Sequence, residues 1–173
     1  MKRRHPLIRF LKHLLSTALP TSWQVRKHFS GDAFSRIEKA IKTNEQKHIG
    51  EIRFVVEAAL HPMEILGKKT PKKRALELFS RFTIWDTEQN NGVLIYLLLA
   101  DRDVEIVADR GIHQHVGNDG WEHICHAMEL QFRRGDFEAG VLQGLTEIGY
   151  LLQKYYPANS ENSNELPNAP IIL

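Results

Sequence analysis

WDTEQNNGVLIYLLLADRDVEIVADRG, residues 85–111, holds two apolar runs separated by three charged residues. Val93 to Ala100 and Val104 to Ala108 each have strand length, and Asp101, Arg102 and Asp103 form the polar tract between them. So short a connection makes the two runs pair as an antiparallel hairpin. The acidic, amide-rich loop Asp86 to Gly92 opens the first run, and Asp109 to Gly117 follows the second as a further loop.

Working upstream, Thr70 is placed to cap a helix with Pro71 in its first turn, turning Ala75, Leu76, Phe79 and Phe82 inward. Before it, beyond the loop His61 to Lys69, EIRFVVEAAL (Glu51 to Leu60) reads as a buried strand in which Arg53 is a solvated edge residue. Strand, helix, strand is the pattern of a parallel βαβ unit. The sheet is therefore expected to be mixed, with one parallel and one antiparallel pairing.

The flanks read as helical. Leu7, Ile8, Phe10, Leu11, Leu14, Leu15 and Leu19 recur at helical spacing opposite Arg9, Lys12 and His13, and Pro20 ends the run. A second helix is expected over Asp32 to Ile49, with Ser30 as its cap and Gly50 as its end. Downstream, Trp121, Ile124, Cys125, Met128 and Phe132 mark a helix from Asn118 to Arg133; Asp136 caps another, striped by Phe137, Val141, Leu145, Ile148 and Leu152. Trp85 is expected in the core with Trp121, Phe132 and Phe137. Three parts follow: a basic amphipathic helix and linker over 1–29, a domain over 30–157, and a flexible tail over 158–173, rich in Asn, Ser, Pro and Glu.

Composition sets outer limits. At 173 residues, with 42% hydrophobic and 25% charged residues, the chain is one globular domain, not a disordered or membrane-spanning one. The net charge of +2 gives no nucleic-acid footprint, because the basic excess gathers at Lys2, Arg3, Arg4, Arg9, Lys12, Arg26 and Lys27. The single Cys125 fits a reducing compartment. Met1 to Pro20 imitates a secretory signal, but Arg9, Lys12 and His13 break its apolar run, so an uncleaved segment is expected. The expected location is cytoplasmic, with peripheral attachment to the inner membrane face as an alternative. Residues 1–20 have three readings: packing on their own domain, exchange with a neighbour in an oligomer, or contact with an anionic membrane.

The order of features in residues 85–111, the upstream helix and EIRFVV strand, and FRRGDFEAGVLQGL at Phe132 to Leu145 together resemble the TPM domain family over residues 30–156. The resemblance implies a three-layer, Rossmann-like α/β/α sandwich. It also implies divalent-metal binding, phosphatase activity in some members, and a periplasmic, luminal or membrane-tethered setting. This chain departs from the family pattern in lacking a clear signal peptide and a C-terminal membrane anchor.

Topology names the candidate site. With the first two strands parallel and the third antiparallel, the start of the second strand and the end of the third share a sheet edge, while Asp101 and Asp103 sit at the opposite one. The shared edge collects Asp86, Glu88, Asn90, Asn91, Asp109, Arg110, Asp119 and Glu122. Asp86, Glu88, Asn91 and Asp109 are candidate ligands of a hard divalent cation, Ca²⁺ or Mg²⁺ rather than Zn²⁺. Asn90, Asn91, Arg110 and Asp119 are candidate contacts for an anionic ligand at a helix amino end. Turn-forming and capping roles account for the same residues without any ligand.

The expected function is a noncatalytic binding or scaffolding domain with a cation-dependent crevice, associated with a membrane surface; the alternative is a weak metal-dependent phosphatase using the same crevice. No catalytic residue is assigned. Gln131 stands where a cysteine-phosphatase loop starting at Cys125 would need arginine. A zinc site built from His113, His115, His123 and His126 matches no familiar spacing.

Overall fold

The computed structural model describes residues 6–158 and 164–173, so Lys2, Arg3 and Arg4 lie outside the described residues. Three strands, β1 (Ile52–Glu57), β2 (Val93–Leu98) and β3 (Asp103–Ala108), pair as the sequence predicts. β1 lies parallel to β2, with Ile52 opposite Val93, and β2 antiparallel to β3, with Val93 opposite Ala108. Every residue of β1 and β2 is buried, as expected for strands covered on both faces.

Among the described residues, seven helices surround this sheet: α1 (Pro6–Thr17), α2 (Thr21–His28), α3 (Ala33–Glu45), α4 (Pro62–Leu66), α5 (Pro71–Arg81), α6 (Arg110–Arg134) and α7 (Phe137–Tyr155). On one face Ile52, Phe54, Val56, Val93, Ile95 and Leu97 pack against α2, α3, α6 and α7. On the other, Val55, Leu94, Tyr96 and Leu98 meet α4 and α5, with Phe10 of α1 alongside. The result is the three-layer α/β/α sandwich. No helix among the described residues is long and apolar enough to cross a membrane.

Several local expectations are corrected. The loop His61 to Lys69 contains α4, because the His61 side chain accepts from Met63 N while Glu64 accepts from His61 N, closing a capping box. The loop Asp109 to Gly117 is the first part of α6, started by Asp109 and interrupted at Gly117, where φ is 70° and ψ 175°. The linker after Pro20 is helical, as α2. The next helix starts after Asp32 rather than Ser30 and ends at Glu45, short of Gly50. Trp85 is half exposed instead of buried.

The chain also continues to build the sheet after residue 158, where a flexible tail was expected. β4 (Ile171–Ile172) lies parallel to β1 on its free edge, giving the order β3-β2-β1-β4. Its two isoleucines supply strand propensity that the polar composition upstream obscures. Thr70 caps α5 as predicted, accepting from Lys73 N at 3.2 Å.

A charged cluster ties α5 to the sheet. Arg74 donates two hydrogen bonds to Glu57, at 2.8 and 2.9 Å, and the Tyr96 hydroxyl donates a third at 2.6 Å. Burial first, then the neighbouring Glu57 charge, holds the Tyr96 hydroxyl far above its ordinary pKa.

Candidate functional site

Asp109 N donates to Gly92 O at 2.9 Å, stitching the loop before β2 to the loop after β3 just beyond their last strand pair. The loop itself is two tight turns, closed by Asp86 N to Thr83 O at 3.0 Å and Asn90 N to Thr87 O at 3.2 Å. Asn90 takes a left-handed backbone with φ 52°, which asparagine adopts at low cost. Gly92 is required for a different reason, since a Cβ there would stand 2.1 Å from the Ile84 carbonyl oxygen.

Asn91 is wholly buried. Its Nδ2 donates to Ile49 O at 3.1 Å and its backbone N–H to Thr87 Oγ1 at 3.1 Å, leaving a buried Oδ1 with no protein partner. Asp109 is buried too. Its Oδ1 accepts from Arg110 N at 2.7 Å at the start of α6, and its Oδ2 is also buried without a protein partner. Two orphaned side-chain oxygens thus lie on segments joined by two backbone hydrogen bonds, Asp109 N to Gly92 O and Ile112 N to Asn90 O.

More oxygens converge at Gly111. A Cβ on this residue would come within 2.5 Å of both Asn90 O and the Tyr156 hydroxyl, and 3.0 Å from Gln89 O. Burial pushes the Tyr156 phenol above its usual pKa, and the negative charge of Asp109 adds to the effect. Carboxylate, amide, carbonyl and phenol oxygens thus gather at this edge.

The structure brings Asn90, Asn91, Asp109 and the backbone of Arg110 together. Asp86 and Glu88 lie on the exposed outer side of the loop, with Glu88 N donating to Glu165 Oε2 at 3.1 Å. Asp119 and Glu122 sit beyond the Gly117 kink, and no described hydrogen bond or ion pair joins Asp119 to the crevice. Glu122 instead lines a separate cleft of about 220 Å³ with Lys72, Glu105 and Trp121. Sequence reasoning missed Thr87, Ile49, Tyr156 and Glu165. Of these, only Thr87 carried a signal, as a turn residue four positions before Asn91.

A second polar cluster adjoins the crevice at the start of β1. Glu45 accepts from Ile52 N at 3.1 Å and from Asn168 Nδ2; Glu51 accepts from Glu165 N at 3.0 Å and Leu166 N at 3.2 Å. Burial raises both carboxyls, Glu45 to about 8. Arg53 is buried among them, not solvated, and desolvation lowers its pKa against the pull of both glutamates. Residues 164–173 thus close this edge.

The four candidate histidines do not converge. His113 Nδ1 accepts from Trp121 Nε1 at 3.2 Å, His115 stacks on Tyr155 at 4.4 Å, and His123 and His126 are exposed. Among the described residues, no three His, Cys, Asp or Glu side chains form a metal-holding group. A cation at this edge would need amide and carbonyl oxygens beside its carboxylates. Burial pushes the Cys125 thiol up to about 12, and Asp101 is engaged by Arg9 at 2.8 Å.

A family model of the TPM domain matches residues 26–151. The solution structure of the BA42 protein from the psychrophilic bacterium Bizionia argentinensis is 31% identical and superposes with a TM-score of 0.73, covering 83% of this chain and 94% of that one. The N-terminal domain of a P. gingivalis protein, 16% identical with a TM-score of 0.62 over 92% of this chain and 99% of that one, shares the fold. No curated protein matches the chain.

Proposed function

Because the chain belongs to the TPM domain family, we propose that the edge crevice binds a divalent cation, Ca²⁺ or Mg²⁺, in a domain that acts by binding rather than by catalysis. The observation that carries this reading is the pair of buried, partnerless oxygens, Asn91 Oδ1 and Asp109 Oδ2. A buried acceptor left unsatisfied costs about 1–3 kcal/mol, and more when charged. A hard cation with six or more oxygen ligands relieves that cost. Asn91 and Asp109 would supply side-chain oxygens, the Gln89 and Asn90 carbonyls backbone oxygens, and Asp86 and Glu88 exposed carboxylates able to turn inward. The positive charge would offset the buried Asp109 carboxylate and orient an anionic partner beside Arg110.

Hydrolysis through a protein nucleophile is disfavoured at Cys125, a half-buried thiol with a raised pKa, and at Asp101, which Arg9 engages at the opposite end of β2, so a hydrolytic reading rests on metal-activated water in the same crevice.

Calorimetric titration with Ca²⁺ and Mg²⁺ tests the reading, with Asp109→Asn and Asn91→Leu as variants. Asparagine at 109 keeps the oxygen that accepts from Arg110 N while removing the charge. An affinity loss of about tenfold or more in each is expected, on the order of one ligand bond. No heat from the wild type, or the same affinity in Asp109→Asn, refutes the site. Metal-dependent turnover of an aryl phosphate that Asp109→Asn abolishes would replace the binding reading with the phosphatase one.

A further inference from the structure

Helix α1 packs on its own domain by its polar side. Arg9 Nε donates to Asp101 Oδ2 at 2.8 Å and its Nη1 to Lys69 O at 3.1 Å. His13 is wholly buried, accepts from Leu60 N at 3.0 Å through Nδ1, and holds Nε2 3.3 Å from Asp101 Oδ2. These contacts fix the rotation of the helix, and with Phe10 they form its inner side.

The leucine stripe is consequently turned outward. Leu7, Ile8, Leu11, Leu14, Leu15 and Leu19 are between 44% and 70% exposed. The adjoining α4 adds Met63 and Leu66, at 67% and 60%. Single exposed apolar residues are ordinary, but a continuous stripe of this kind marks an interaction surface.

Charge identifies what covers it. Residues 1–31 contain seven lysines and arginines and no aspartate or glutamate, and Lys12 stands on the outward face. A two-fold interface between copies would bring two such segments together, positive against positive. An anionic surface reverses the sign of that interaction, and each basic residue near it strengthens attachment.

We propose that the outward face of α1, with Met63 and Leu66 of α4, docks in the interface of an anionic lipid bilayer. The helix lies in the membrane plane with its leucines among the acyl chains and Lys12 at headgroup level. Arg9 and His13, which would ordinarily form the polar side of such a helix, are used to hold it to the domain. This surface is independent of the cation crevice, since Asp101 belongs to the hairpin turn at the other end of β2.

Flotation of the purified full-length chain with vesicles tests this, comparing phosphatidylcholine alone with phosphatidylcholine containing about one third phosphatidylglycerol. The variant is Leu11→Gln with Leu15→Gln. Both positions are exposed, so circular dichroism should show an unchanged fold. The wild type should float only with the anionic vesicles, should be released by high salt, and should lose about a hundredfold in partitioning in the variant, roughly tenfold for each buried leucine. Absence of wild-type flotation, or equal flotation of wild type and variant, overturns the proposal. So does a stable dimer that the same variant dissociates, because the face would then belong to a second copy.

Discussion

Replacing Glu45 with glutamine removes a buried proton equilibrium from the base of β1, and its effect on stability follows from the geometry. Burial raises the Glu45 carboxyl from 4.5 to about 8, Glu51 adds repulsion, and hydrogen bonds from Ile52 N and Asn168 pull partly the other way. A raised folded-state pKa means that the native protein holds a proton the unfolded chain has released. The stabilisation is fully present below pH 4.5 and is lost as pH rises through about 8. His48 runs oppositely, since burial lowers it from 6.5 to about 4 and its contribution is lost as pH falls below 6.5. Above pH 6.5 the Glu45 effect is therefore unopposed by His48. At about 1.4 kcal/mol per pH unit, the interval from 6.5 to 8 costs the wild type about 2 kcal/mol. Asp103, raised to about 7 by burial, contributes to the first part of that interval but is present in both proteins and cancels in the comparison.

Glutamine keeps an oxygen for Ile52 N and places an amide against Asn168, whose Oδ1 is buried without a protein partner. Turning the Asn168 amide satisfies both groups. Urea unfolding at intervals between pH 6.5 and 8 should show the wild-type midpoint falling by about 1 M relative to Glu45→Gln, for an m-value near 2 kcal/mol/M. Parallel midpoints across that range would refute the assignment of the proton to Glu45.

Three further substitutions probe the frame. Gly92→Ala forces a Cβ to within 2.1 Å of the Ile84 carbonyl oxygen, which only backbone movement can relieve; a loss of about 3 kcal/mol or more is expected by chemical denaturation, and a loss under about 1 kcal/mol would contradict the close approach. Glu57→Ala leaves the part-buried Arg74 guanidinium and the Tyr96 hydroxyl without their shared acceptor. It should cost about 3–5 kcal/mol in the same assay, against about 1 kcal/mol for Tyr96→Phe, and equal costs would show that the ion pair is not the main contribution.

The sheet was legible because its signals are local and periodic. Two apolar runs around a three-residue turn can only form a hairpin, and Thr70-Pro71 can hardly be other than a helix start. The crevice followed from topology, since a parallel pairing next to an antiparallel one brings Asn91 and Asp109 to the same edge whatever the side chains do. What escaped depends on partners distant in sequence. Arg53 reads as solvated because alternation in EIRFVV cannot reveal that it is buried beside Glu45 and Glu51. Ile171 and Ile172 were hidden by the polar residues before them, and their strand exists only because β1 has a free edge. The outward face of α1 was the least legible feature. Helical spacing shows that leucines share a side, but only Asp101 and Leu60 N determine that the side facing the protein is the one carrying Arg9 and His13.

That inversion sets the polarity of the molecule. The parallel strands put the amino ends of β1 and β2 at the crevice and their carboxyl ends near α1, some 20 Å away for six residues of strand. Asp86, Glu88, Asp109 and Glu165 gather at the first end; at the second, Arg9 is paired with Asp101 and Lys12 is exposed. An anionic surface would attract the exposed Lys12 and repel the exposed carboxylates of Asp86 and Glu88. Attachment through α1 therefore leaves the crevice directed toward solution, open to a cation and to whatever the cation recruits, so membrane attachment and cation binding do not compete for the same face.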